Sequence, residues 1–113
     1  MIEDKQLDNK KIHYLVYKTT NTVNGMIYIG KHQTADVNDL YLGSGTVLRK
    51  AIMKYGAASF KKEILFDFDT EKEMLDKERE LVNEEFVKRR DTYNCVVGGQ
   101  GLYTKQHGNN GTN

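Results

Sequence analysis

Residues 24–32, NGMIYIGKH, put a tyrosine, a glycine, a lysine and a histidine at the end of a short apolar run. A strand needs only the alternation, so the polar cluster asks for a chemical role. Histidine is the side chain that changes charge most readily near neutral pH, so His32 can serve as a cation or proton shuttle. A second tyrosine, Tyr17, precedes Tyr28 by eleven residues. A phenol with a pKa near ~10 is a poor base without a neighbouring cation or metal. Farther along, Glu78 has Met74, Leu75, Leu81 and Val82 at −4, −3, +3 and +4. On a helix that spacing sets its carboxylate on the apolar, inward face. Glu80 lies about 200° round and reads as exposed. A single carboxylate holds a hard Mg²⁺ when waters and substrate oxygens complete the shell. Each residue also has a plainer reading: strand tyrosines pack cores, and a helix-edge carboxylate is solvated.

These side chains need a frame, and the sequence supplies one. KIHYLVYKTT reads as a strand, NTVNGM as a turn with Asn24-Gly25 suited to a tight hairpin, and MIYIG as the return strand. Residues 12–30 therefore form a β-hairpin, with Tyr14 and Tyr17 on opposite faces. KHQTADVNDLYLGSG is polar and turn-rich, a loop. Ser44-Gly45 opens a helix, TVLRKAIMKY, closed by Gly56. FKKEILFDFD reads as a third strand with its apolar centre at 64–66. Thr70 and Glu73 form a capping box for a second helix, which continues, alone or as a pair, through NEEFVKRR. TYNCVV reads as a short extended segment. The expected fold is α+β: a small mixed three-stranded sheet opened by a hairpin and flanked by helices. One domain over 11–101 follows a flexible lead at 1–10 and precedes a flexible tail at 102–113.

Composition narrows the class. A chain of 113 residues holds one modest core. Mean hydropathy of −0.69 and the lack of any apolar run near ~18 residues exclude a membrane span. The polar N-terminus is no signal peptide. Cys95 cannot pair internally or build a zinc cluster alone, and beside two valines it reads as a small buried hydrophobe. A net charge of +1 argues against a large basic DNA-binding face, though not against a module that borrows affinity elsewhere. Basic residues cluster at Lys31–His32, Arg49–Lys50 with Lys54, Lys61–Lys62, and Lys88–Arg90. Any one cluster reads first as solvated surface.

Four elements in order carry a resemblance. The paired tyrosines flank an N-x-x-N-G turn, with YIG intact at 28–30 and the first half-motif as Leu15-Val16-Tyr17, its tyrosine kept and its glycine lost. LRKAIMKYGAASFKKEIL follows at 48–65, MLDKERELV at 74–82 and TYNCVVGG at 92–99. Over about 11–101 the chain resembles the GIY-YIG nuclease family, in particular its phage and homing-type endonucleases.

The resemblance implies a metal-dependent DNA endonuclease domain. Glu78 would hold Mg²⁺ or Mn²⁺. Tyr17 would help activate the attacking water, Tyr28 would hydrogen-bond within the site, and Asn94 would support it structurally or catalytically. Members usually carry an arginine on a helix soon after YIG that grips the scissile phosphate. The loop KHQTADVNDLYL has none. His32, Arg49 or Lys31 would replace it, with Lys31, Lys50 and Gly30 against the DNA. LGSG at 42–45 would serve as a plain helix cap or offer N–H groups to a phosphate. A separate DNA-binding domain would supply specificity, in the cytoplasm of a phage-infected or bacterial cell. The missing arginine leaves a second outcome open: a nuclease fold that binds nucleic acid without cutting.

Overall fold

Strand β1, His13–Asn21, is β-branched and aromatic along its length, and it becomes the middle strand of the sheet. The computed structural model describes residues 11–100, so the expected lead at 1–10 and tail at 102–113 lie outside the described residues. Strand β2, Ile27–Thr34, returns antiparallel to β1. Local side chains shape the connection: Asn21 Oδ1 accepts from the Val23 N–H and Asn24 Oδ1 from the Met26 N–H, both at 2.9 Å. Gly25 has φ of 80°, the conformation the Asn-Gly pair foretells. The hairpin runs farther than expected. Lys31, His32, Gln33 and Thr34 belong to β2, because β1 offers them Val16, Leu15, Tyr14 and His13 as ladder partners. Backbone pairing overrides the polarity of these side chains.

Strand β3, Phe60–Phe68, pairs antiparallel with the other edge of β1, giving the order β2-β1-β3. Among the described residues the one parallel pairing is the bridge between Ile27 and Thr92, which covers the outer edge of β2. The ladders themselves are antiparallel. Register slips by one between Val16 and Tyr17, so Leu65 bulges out of the ladder. The apolar centre of β3 is displaced from the sequence expectation. Phe60 is its buried residue, while Ile64 and Phe66 are exposed, because β3 is an edge strand.

Helix α1, Thr46–Tyr55, buries Leu48 and Ala51 and ends at Gly56 (φ 89°), whose N–H returns to Ile52 O. A 3-10 turn, Ala57–Ser59, leads into β3. Helix α2, Glu71–Leu81, starts at the expected Thr70–Glu73 pair, with half of the capping box formed: Thr70 Oγ1 accepts from the Glu73 N–H, and it is this hydroxyl that donates to Glu73 Oε1. Helix α3, Glu84–Val87, is a separate turn capped by Asn83. Two apolar clusters hold the layers together. Val16 and Ile29 pack with Met74, Leu75, Val82 and Phe86. Leu48, Ala51, Phe60 and Tyr93 form the second cluster, with Tyr28 and Leu42 against it.

Cys95 is exposed, not buried. Thr92, Tyr93 and Asn94 take the inward places of that segment, and the thiol is left at the surface.

Candidate active site

Directly opposed residues of a ladder share a face. Tyr17 opposes Gly30 and Thr19 opposes Tyr28, while Val16 opposes Lys31 and Lys18 opposes Ile29. The two tyrosines therefore share one face, their rings 6.4 Å apart. Gly30 is the glycine this arrangement requires. A Cβ there would lie 2.5 Å from the Tyr17 hydroxyl and 2.9 Å from the Tyr28 ring. The absent side chain lets the Tyr17 phenol lie across the edge strand. Gly30 thus enters the site as the space beneath both rings.

Glu78 approaches from α2. It is 8% exposed, the inward carboxylate its apolar flanks foretell, whereas Glu80 is exposed and pairs with Lys77. Glu78 Oε1 accepts from the Gly99 N–H at 2.7 Å, and Gly98 packs so closely that a Cβ would strike the Glu78 backbone oxygen. The closing glycines are the floor on which this carboxylate rests. Lys31 brings its Nζ to 3.9 Å from Oε1, the outer limit of an ion pair. Glu78 Oε2 accepts no hydrogen bond among the described residues.

Both phenols are held protonated. Burial, first of all, pushes Tyr17 far above the ordinary phenol range, helped by Tyr28, Tyr41 and the charge of Glu78. Burial and Glu78 also push Tyr28 up, against hydrogen bonds from Ser44 and the Gly45 backbone that pull it down. These contacts revise the LGSG segment. Gly45 is the helix N-cap without a side-chain cap bond, and its N–H serves Tyr28.

A second cluster surrounds Tyr17 that sequence reasoning missed. Asp39, in the loop after β2, accepts at Oδ2 from His32 Nε2 and Thr34 Oγ1, both at 2.8 Å. Its Oδ1 accepts from Lys62 Nζ at 3.0 Å and from the Tyr41 N–H at 3.2 Å. Desolvation opposes the Asp39 charge, but the bonds from His32, Lys62 and Thr34 outweigh it and hold the carboxyl below the usual carboxylate range. The His32 ring stacks on Tyr41 at 4.0 Å. Tyr41 meets Tyr17 edge-on at 6.1 Å, and Lys62 Nζ lies 5.8 Å from the Tyr17 ring centroid. The signal for Lys62 was its place opposite Thr19, two residues along from Tyr17 on the same face. That requires the β1–β3 register, which sequence alone did not give.

Neighbours in sequence, Lys31 and His32 part company here: one lies toward Glu78 and the other toward Asp39 and Tyr41. Arg49 and Lys50 are on the exposed side of α1, outside this cluster. Asn94 belongs to the frame. Its Oδ1 accepts from the Ile29 N–H at 2.9 Å and its Nδ2 donates to Ile29 O at 2.7 Å, with Thr92 Oγ1 donating to Oδ1 as well. The amide clasps β2 between Tyr28 and Gly30, with two of its three bonds going to the Ile29 backbone. Replacing Asn94 with Ala strands the Ile29 N–H and C=O in a buried setting. A loss of about 2–3 kcal/mol in unfolding free energy is expected, read by urea denaturation.

Among the described residues no group of three or more His, Cys, Asp or Glu side chains is placed to hold a metal ion. The donor set is a single buried carboxylate with one oxygen unengaged, which suits Mg²⁺, an ion that keeps several waters and takes one or two carboxylates. No helix among the described residues is long and apolar enough to cross a membrane.

Comparison with known proteins supplies the context. The chain is 56% identical over 91 residues to the phage T4 protein named "Putative endonuclease segD", which is 80% of this chain and 41% of that protein. It is 49% identical over 88 residues to "Putative endonuclease segB" of the same phage, covering 78% and 40%. It is 45% identical over 97 residues to T4 "Endonuclease segA", covering 86% and 43%. The chain thus spans about two-fifths of the length of these relatives. No family model matches it, and no solved structure does.

Proposed function

We propose that this chain is the catalytic domain of a GIY-YIG-type DNA endonuclease that hydrolyses phosphodiester bonds with Mg²⁺ or Mn²⁺. One observation carries the reading: Tyr17 and Tyr28 meet over Gly30, and the charge of the buried Glu78 reaches both phenols. The likeness to phage T4 proteins named as endonucleases supports it independently.

Glu78 would hold the metal through its unengaged oxygen. When bound, the metal supplies Lewis-acid stabilisation of charge on the phosphate and a lowered pKa for water. The protein's own groups do the rest. Tyr17 stays protonated, which makes it a hydrogen-bond donor to a phosphate or attacking water. Tyr28, fixed by Ser44 and Gly45, holds the rim of the site. Lys31 balances Glu78. His32 and Lys62, tied to Asp39 beside Tyr41 and Tyr17, would stand in for the arginine that the loop lacks. The relatives' unmatched length leaves room for a DNA-binding domain in the whole protein.

Supercoiled plasmid incubated with the chain in Mg²⁺, and separately in EDTA, tests this. Nicked or linear product in Mg²⁺ alone is expected. Binding of DNA without product in either condition would favour the non-cutting fold.

A further inference from the structure

The net charge of +1 conceals a separation. Residues 40–62 contain Arg49, Lys50, Lys54, Lys61 and Lys62 and no Asp or Glu. Residues 63–91 carry eleven acidic side chains against six basic. Helix α1 holds three of the first set and no acid at all, whereas α2 is acidic. Of the other two, Lys62 is bound to Asp39, and Lys61, next to it in the strand, faces the opposite side of the sheet.

On α1 the charges are arranged. Leu48 and Ala51 are buried, and Arg49, Lys50, Met53 and Lys54 are exposed. The pairs 49/53 and 50/54 are spaced i, i+4, so the four form one face. Met53 at its centre is 85% exposed. From Arg49 to Lys54 the helix rises about 7.5 Å, the axial span of about two phosphates on one strand at ~3.4 Å each. The helix also starts at the site: its N-cap Gly45 accepts from the Arg49 N–H through its C=O, while the Gly45 N–H reaches Tyr28.

We propose that the outer face of α1 is the track that seats the phosphate backbone of duplex DNA beside the site, with Arg49, Lys50 and Lys54 as its contacts. This rests on the DNA reading above for its class of partner. Charge complementarity over an acid-free face selects a polyanion, and the helix's origin at Tyr28 places that polyanion where the site can reach it. The contacts are to phosphate, so they position DNA without reading its sequence.

The test is fluorescence anisotropy of a labelled 30-base-pair duplex with the full chain in EDTA, across 50–200 mM salt. Each phosphate contact contributes about 0.9 to the slope of log affinity against log salt. The Lys50→Gln/Lys54→Gln double variant is expected to lose about 2 from that slope. Its affinity at 50 mM salt should fall on the order of 10- to 100-fold for duplexes of any sequence. Lys72→Gln, on the acidic helix α2, should leave the slope unchanged. An unaltered slope in the double variant overturns the proposal, as does wild-type protein that does not bind duplex or binds polyglutamate equally well. Because EDTA removes cleavage from the readout, the two readings fail separately. A chain that binds through α1 without cutting in Mg²⁺ would sink only the nuclease, and one that cuts with an unaltered slope in the variant would sink only the track.

Discussion

Glu78→Gln is expected to lower Mg²⁺-dependent plasmid cleavage about 10³-fold, a loss of about 4 kcal/mol in transition-state stabilisation. The substitution is chosen to spare the fold. Its amide oxygen can still accept from the Gly99 N–H, the bond that seats the wild-type carboxylate. Stability should therefore move by no more than about 1 kcal/mol, measured by urea unfolding beside the cleavage assay. What the amide cannot reproduce is the negative charge on a buried oxygen with no protein partner among the described residues. A hard cation loses its anionic ligand, and Lys31, 3.9 Å away, loses its counter-charge. If the variant cuts as fast as the wild type, Glu78 has no part in the reaction and its burial is a matter of packing on Gly98 and Gly99.

That carboxylate was legible because a helix converts spacing into direction. Apolar residues at −4, −3, +3 and +4 fix which way Glu78 faces, and it is buried accordingly. The hairpin was legible for a similar reason: alternation and an Asn-Gly turn decide it locally, and the register then brings Tyr17 and Tyr28 onto one face. Where local pattern did not suffice, the contact partners were distant or the backbone overrode the side chains. The strand continued through Lys31 and His32 because β1 was long enough to pair them. Asp39 and Tyr41 lie in a stretch with no periodicity, and only the folded loop brings them beside His32. Lys62 comes from the far strand, through a register with a bulge that no composition announces. Cys95 was misplaced because its neighbours, rather than its own hydrophobicity, determine which residues of 92–95 face inward.

The net charge of +1 hides where the charges lie. A net charge sums over the chain, while a polyanion meets one face of it. Acidic residues gathered after residue 62 cancel the basic stretch in the total and not in space. The same separation bears on the site. Tyr17 has the Lys62 ammonium 5.8 Å from its ring and also feels the charge of Glu78, so a basic and an acidic group both act on the phenol. A neutral donor there can hold an anionic phosphate without itself having to ionise.

Tyr17→Phe separates that role from the alternative of a phenolate base. The ring is 1% exposed and the substitution keeps it, so the core around Leu15, Val16 and Tyr28 is undisturbed. Only the hydroxyl over Gly30 and its bond to Tyr41 are lost. Removing a well-placed donor to a developing oxyanion costs about 10²- to 10³-fold, and a fall in kcat of that size is expected, with KM little changed. The pH profile decides the role. Burial, with Tyr28, Tyr41 and Glu78, raises the folded pKa of Tyr17 above its ordinary value, so the phenol is protonated throughout the range from pH 6 to about 9. A donor that never titrates there leaves no limb in the profile. Wild type and Tyr17→Phe should then give curves of the same shape, offset by the fall in kcat. A wild-type rate that climbs with pH through this range, and a variant that has lost that climb, would make Tyr17 the base instead.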